Sequence, residues 1–180
     1  LTTQEDLRQD LFSPSLELGI IALQGFILRF AELAAEQARA CADGQRGREL
    51  EQIHETCLRV SRLPPRSFRE ALQLVFFLQL VLQIESNGHS VSLGRLDQYL
   101  YPLFREDLRQ KRISTDEVRE LLECLWIKLY GINKIRPWAH TRYSAGSPLY
   151  QNVTIGGQTA EGTDAVNELS YLILETVGSI

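Results

Sequence analysis

Apolar residues recur at helical spacing over the first third of this chain. The apolar positions of the first stretch are Leu16, Ile20, Leu23, Ile27, Phe30, Leu33 and Ala34. They lie on one face of a helix and predict a long amphipathic helix over residues 15–42. Asp43-Gly44-Gln45 is typical of a helix end, and a second amphipathic helix is predicted over residues 47–61.

A third helix is predicted over residues 68–85. Pro64-Pro65 forms a stiff connector before it, and Ser67 with Glu70 three residues later has the spacing of a capping box. The helix is apolar almost all round, so it should lie buried inside a larger body.

The remaining pattern also favours helices, over residues 96–108, 115–130 and 164–177, although Pro102 argues against an unbroken helix in the first of these. Thr115 is a plausible cap for the second. Residues 132–146 look irregular. A strand is predicted over residues 149–155 and a second is possible near residues 91–93. Since one strand cannot form a sheet, its partners must either lie outside this chain or be strands that the pattern does not mark, and the first alternative indicates a fragment.

Composition and charge narrow the class of protein. Hydrophobic residues make up 44% and charged residues 23% of the chain, as in a folded soluble protein. The net charge of −4 argues against a nucleic-acid surface. The longest apolar run, residues 72–84, contains three glutamines and is too short for a membrane span. The polar start does not resemble a signal peptide, and both ends of the sequence look cut.

The cysteines Cys41, Cys57 and Cys124 do not have metal-ligand spacing. Cys57 and Cys124 stand among apolar residues and are predicted to be buried free thiols. This usage is typical of a reducing cytoplasm, so a cytoplasmic location is expected.

The candidate chemistry begins with the polar segment that follows the third helix, Ile84-Glu85-Ser86-Asn87-Gly88-His89-Ser90. Histidine titrates near neutral pH and serine both donates and accepts hydrogen bonds. His89 and Ser90 could therefore bind a substrate hydroxyl or pass it a proton. On the residues alone, capping of the next helix is the more common role for such a pair.

Other constellations are weaker. Gly156-Gly157 follows a strand but lacks the spacing of a nucleotide-binding loop, so a tight turn is favoured. No G-x-S-x-G elbow occurs, which argues against a serine hydrolase. Arg136, His140 and Arg142 could hold an anion beside Trp138, although a solvated connector is the more common reading.

Several motifs in the right order resemble the glycyl radical enzyme family, in the pyruvate formate-lyase-like branch that includes B12-independent glycerol and diol dehydratases. They are residues 64–73 (PPRSFREALQ), residues 84–101 around Asn-Gly-His-Ser, residues 150–158 (YQNVTIGGQ) and residues 164–171 (DAVNELSY). The resemblance implies a helix-rich α/β fragment of a ten-stranded barrel, with residues 1–180 forming part of a single catalytic domain whose N-terminal and C-terminal portions lie outside this chain.

The resemblance also implies a site. His89 and Ser90 would hydrogen-bond the hydroxyl groups of a polyol-like substrate, and His89 would help a hydroxyl leave as water. Ser147 falls at a further substrate-binding position. No metal ligand is implied. The family's Gly-Cys-x-Glu loop and C-terminal Arg-Val-x-Gly-Tyr loop do not occur here, so this chain alone is expected to be inactive.

The implied partners are a small-molecule substrate, a homodimer partner in the full-length protein, and an activating enzyme that installs the glycyl radical with S-adenosylmethionine and an iron–sulfur cluster. No nucleic acid or membrane is expected. Two alternatives remain open from the sequence: carbon–carbon cleavage of the formate acetyltransferase kind, and a truncated, non-catalytic helical binding module.

Overall fold

Helices carry most of the chain in this computed structural model, which describes residues 4–86, 90–134, 137–144 and 151–179, with the side chains of residues 4–11, 86, 140, 141 and 144 left aside. The helices are α1 (Gln4–Ala40), α2 (Gly44–Val60), α3 (Phe68–Ser86), α4 (Leu96–Arg109), α5 (Thr115–Tyr130), α6 (Trp138–Ser144) and α7 (Glu168–Gly178), and the strands are β1 (Gly94–Arg95) and β2 (Val153–Thr154). The fold is a helix-rich α/β arrangement with a small parallel sheet, and the helix-rich α/β class is the one that the family resemblance implied.

The chain divides into two compact units, the first of which is Leu1–Pro64. In this unit α1 and α2 pack together, with Ile27 and Ala31 of α1 and Cys57 of α2 buried. Asp43, predicted as a helix end, also begins α2, since its carboxylate accepts hydrogen bonds from the amides of Gln45 and Arg46 at 2.8 and 3.1 Å.

Much of α1 is apolar and exposed. The segment Phe12–Ala40 is long and apolar enough to cross a membrane, with a mean hydropathy of 1.6 in its best window. This test rests on length and composition alone, and a core helix of a soluble protein also passes it. Only 17% of that window is buried within the chain, so most of it is exposed apart from the positions that pack on α2.

The second unit, Pro65–Ile180, has a core shared by α3, α4, α5 and α7. Its most deeply buried apolar side chains are Phe68, Leu96, Leu100, Val118, Leu122 and Leu169. The rings of Phe68 and Phe104 meet edge to face at 5.9 Å. Asp107, itself buried, accepts hydrogen bonds from the Phe68 amide and from Nε of Arg112, both at 2.7 Å, and thereby fixes the start of α3.

The two strands pair in parallel, with Gly94 opposite Val153 and Arg95 opposite Thr154. Strand β2 lies within the predicted strand of residues 149–155, of which 149 and 150 lie outside the described residues. Strand β1 lies just after the possible strand at residues 91–93. Of the two alternatives for the missing sheet partner, the structure shows that a partner strand within this chain was missed, since β1 pairs with β2.

Several helix boundaries differ from the predicted ones. Helix α4 runs through Pro102, which removes one backbone donor without breaking the helix. Helix α6 lies where an irregular segment was predicted. Helix α7 begins at Glu168 because Asn167 caps it, accepting from the amides of Leu169 and Ser170. Helix α5 is capped by Ser114, one residue before the predicted cap.

The cysteine prediction is half right. Cys57 is a buried free thiol, whereas Cys124 is free but exposed. In α5 the buried positions are Val118, Leu122 and Leu125, and residue 124 lies two positions from Leu122, which turns it to the opposite side of the helix.

Candidate active site

The segment that leads from α3 into β1 carries the predicted substrate contacts. Ser90 is exposed, and its backbone is left-handed, with φ of 61°, a conformation that residues with a side chain rarely adopt. Such outliers cluster at functional sites. His89 and Ser147 lie outside the described residues, so their roles stay predictions.

The parallel register joins the chain segments that follow these residues. The Leu93 amide and the Ser92 hydroxyl both donate to the carbonyl oxygen of Asn152, each at 3.0 Å. The segment after Ser90 therefore runs beside residues 152–154, although about sixty residues separate the two along the chain. Because the pairing is parallel, the two strands begin at the same end of the sheet.

A buried glutamine in α3 bridges the same two segments. Nε2 of Gln79 donates to the carbonyl oxygen of Val91 and to Oε1 of Gln151, both at 3.0 Å. Gln151 in turn donates from Nε2 to the carbonyl oxygen of Leu129 at the end of α5, at 2.8 Å. Gln79 is only 2% exposed. In the sequence Gln79 only interrupts an apolar run. A glutamine inside a buried helix must nevertheless find hydrogen-bond partners, and this requirement is the signal that could have predicted its role.

The carboxyl ends of the two strands are fastened by Asp97, which is fully buried. Its Oδ2 accepts a hydrogen bond from the Gly156 amide at 2.7 Å and another from the Ser170 hydroxyl. Gly156 has φ of 64°, and a Cβ there would meet Cγ2 of Val166 at 2.9 Å, so only glycine fits this turn. The Gly156-Gly157 pair is thus a structural turn, as the sequence favoured.

A cleft of about 710 Å³ lies between the end of α3 and the end of α5. Its lining includes Phe76, Ile84, Ile127 and Ile132 together with Gln83 and Lys134. Lys134 donates from Nζ to the carbonyl oxygen of Gln83. The side-chain amide of Gln83 is buried, and within the described part of the chain neither its nitrogen nor its oxygen has a hydrogen-bond partner. The unsatisfied amide therefore lies beneath the largely apolar surface of the cleft.

The basic segment with Arg136, His140 and Arg142 lies only partly within the described residues. Arg142 lies over the Trp138 ring, 5.7 Å from its centroid, and both side chains are exposed. Arg136 and the His140 side chain lie outside the described part. An exposed stacked pair of this kind is typical of a solvated surface.

The described residues contain no cluster of three or more His, Cys, Asp or Glu side chains that could hold a metal ion. Burial raises the pKa of the Cys57 thiol to about 11, which makes that cysteine a poor nucleophile at neutral pH.

Comparison with known proteins identifies the family. The pyruvate formate lyase-like family model matches residues 2–180. The chain belongs to this family. The resemblance inferred from the sequence motifs is therefore confirmed, and the pyruvate formate lyase-like match spans both compact units.

The chain is similar to three curated or solved relatives within the pyruvate formate lyase-like family. The probable dehydratase YbiW of Escherichia coli K12 is 47% identical over the whole chain, which covers 23% of that protein. The isethionate sulfite-lyase of Nitratidesulfovibrio vulgaris is 43% identical over 91% of the chain, covering 20% of that enzyme. The glycerol-bound B12-independent glycerol dehydratase of Clostridium butyricum is 39% identical with a TM-score of 0.91, over 99% of this chain and 22% of that one. The chain thus spans about a fifth of the length of these relatives.

Proposed function

We propose that this chain is the part of a glycyl radical lyase that supplies substrate contacts for the B12-independent dehydration of a small diol or polyol. The observation that carries the proposal is the similarity to the glycerol-bound dehydratase, at a TM-score of 0.91 over 99% of the chain. The Asn-Gly-His-Ser segment and the left-handed backbone of Ser90 support the same site.

The reaction needs a hydrogen-bonded substrate and a proton for the leaving group. The glycyl radical of the full-length protein, acting through a thiyl radical, supplies hydrogen-atom abstraction. Ser90 and Ser147 hold hydroxyl groups of the substrate, and His89 donates a proton to the departing hydroxyl, which leaves as water. The retained hydroxyl releases its proton as its carbon becomes the carbonyl, and this proton replaces the one that His89 gave. A vicinal diol is thereby converted to an aldehyde and water, so the net reaction requires neither an oxidant nor a reductant.

A second candidate is cleavage of a carbon–sulfur bond in a hydroxyalkyl sulfonate. The 43% identity to an isethionate sulfite-lyase favours it. In that reaction sulfite leaves in place of water. Because sulfite is a better leaving group than hydroxide, the proton from His89 would matter less.

The formate acetyltransferase-like reaction and the non-catalytic binding module remain alternatives without an observation that favours them. In the proposal, a separate activating enzyme that uses S-adenosylmethionine and an iron–sulfur cluster installs the radical. The full-length protein forms a homodimer in the cytoplasm and works under anaerobic conditions.

The test uses the full-length gene product, activated anaerobically and supplied in turn with glycerol, 1,2-propanediol, isethionate, or pyruvate with coenzyme A. We expect a glycyl radical signal in electron paramagnetic resonance and an aldehyde from at least one diol. Sulfite released from isethionate in preference would favour the second candidate. Absence of the radical signal under conditions that activate a known dehydratase would refute both.

A further inference from the structure

We propose that Gln79 and Gln151 are positioning residues that hold the two substrate-contact segments in register. This inference rests on the proposed function, because it concerns the same site. It goes further by giving a role to two side chains that lie outside the Asn-Gly-His-Ser segment.

The geometry is a continuous chain of hydrogen bonds across four parts of the fold. It runs from the Val91 carbonyl to Gln79 of α3, then to Gln151, and finally to the Leu129 carbonyl at the end of α5. The bonds measure 3.0, 3.0 and 2.8 Å, and these distances are normal for N–H···O hydrogen bonds. One amide nitrogen of Gln79 thus serves both segments at once.

The two anchored residues are close in sequence to the predicted contacts. Val91 directly follows Ser90, and Gln151 comes four residues after Ser147. A shift of either anchor must therefore be passed to the contacts within a few residues. Misplacement of a reacting group by about 1 Å can lower a rate roughly 100-fold, so a small loss of register has a large kinetic effect.

Burial of Gln79 makes the hydrogen bonds of the bridge hard to replace. Gln79 is almost fully enclosed, so bulk water cannot readily replace its amide if the side chain is removed. If Gln79 and Gln151 have a purely structural role, their substitution should lower only the stability of the enzyme. If they have a positioning role, substitution should also slow turnover by enzyme that is still folded and still activated.

The experiment compares Gln79→Met, Gln151→Met and the double variant in the activated full-length enzyme. Gln98→Met is the matched control, because Gln98 also donates a side-chain bond in the second unit, to the Ala165 carbonyl at 2.8 Å, but on a different part of the fold. We expect roughly 10- to 100-fold lower kcat/KM for the Gln79 and Gln151 variants, with the radical content of the wild type.

The double variant decides whether the two residues act as one unit. If they do, its loss is close to that of either single variant, and not to their product. Losses that multiply, or a loss no larger than that of Gln98→Met, would overturn the proposal.

A readout independent of activity separates this inference from the proposed function. Hydrogen exchange of the Leu93 amide, which bonds Asn152, should accelerate in Gln79→Met and stay unchanged in Gln98→Met. If the wild type carries the radical but turns over none of the substrates, the proposed function fails. Faster exchange at Leu93 would then still support the positioning role, and unchanged exchange would reject it.

Discussion

Ser90 shows how much a single residue can indicate. Its left-handed backbone costs of order 1–3 kcal/mol for a residue with a side chain, whereas glycine would adopt it freely. A serine at this position is explained if its hydroxyl has a task, and the family resemblance supplies one in substrate binding. The backbone conformation could not be predicted from sequence, because serine alone does not favour positive φ.

His89 is the residue whose replacement should affect catalysis most directly. If it protonates the leaving hydroxyl, His89→Ala should lower kcat/KM by roughly two to four orders of magnitude, measured with the activated full-length enzyme on the diol that the wild type turns over. His54→Ala is the control, since the His54 ring bonds the Ala31 carbonyl in the first unit. Equal kinetics for the two variants would return His89 to a capping role.

Cys57 and Cys124 should differ sharply in reactivity. The Cys57 thiol is buried and its pKa is raised to about 11, while Cys124 is exposed. With iodoacetamide at neutral pH, peptide mass spectrometry should show rapid labelling of Cys124, and labelling of Cys57 only after unfolding in urea. Equal labelling of both thiols in the folded chain would contradict the burial of Cys57.

At the scale of elements, α3 reverses the usual burial of apolar side chains and exposure of polar ones. Its glutamines Gln79 and Gln83 are buried, whereas Leu78 and Leu82 are exposed. A helix that is apolar all round has no preferred face, so the sequence predicted burial of α3 but not which side faces the core. The exposed leucines are the surface that the rest of a longer protein would be expected to cover.

The same substitution at the two glutamines should have opposite effects on stability. Gln83→Met removes a buried amide without partners and should raise the free energy of unfolding of this chain by about 1–2 kcal/mol. Gln79→Met leaves the Val91 carbonyl and Gln151 without their donor and should lower it by about 1–3 kcal/mol. Urea titration followed by circular dichroism measures both, and a loss of stability in Gln83→Met would contradict the unsatisfied amide.

The capping box of α5 should give a pH-dependent contribution. The amide and hydroxyl of Ser114 both donate to Glu117 and hold its pKa below the ordinary value of 4.5. Because the folded-state pKa is the lower one, this stabilisation is present above 4.5 and is lost as the pH falls through the folded value. Thermal unfolding of Glu117→Gln should lose less stability on acidification than the wild type. Glu120→Gln, on the same helix but outside the box, should match the wild type.

Local signals predicted some elements well and others poorly. Helices α2, α4 and α5 were predicted to within a few residues, since a regular apolar spacing marks all three. Asp43 and Ser114 also cap α2 and α5. The pairing of β1 with β2 could not be predicted, because it depends on contacts between distant residues. The bridge from Gln79 to Gln151 was missed for the same reason, and the motif around His89 carried its function only through the family resemblance.

For the whole molecule, the exposed apolar surface is consistent with the length of the relatives. The chain corresponds to about a fifth of each, and the similarity to the glycerol dehydratase extends over 99% of it, which includes most of α1. We therefore expect the apolar surface of α1 to pack against further polypeptide in an enzyme of that length.

Asp97 should govern the stability of the second unit. It joins α4 to the turn after β2 and to α7 through Gly156 and Ser170. Asp97→Ala should lower the free energy of unfolding by about 2–4 kcal/mol, because two buried donors lose their acceptor. Asp164→Ala, which removes a bond to Val166 in an exposed turn, should change it by less than about 1 kcal/mol. Similar losses in urea titrations of the two variants would contradict the role of Asp97.

The parallel ladder has a consequence for synthesis on the ribosome. Gly94 can pair with Val153 only after the intervening residues have been added. At about 5–20 residues per second this takes roughly 3–12 s, far longer than the formation of a helix. Helices α4 and α5 can therefore form while β1 still has an open edge. In that interval β1 of the nascent chain is most exposed to pairing with a wrong strand. A chaperone, or codons that slow translation between β1 and β2, would therefore have the largest effect on folding at this stage.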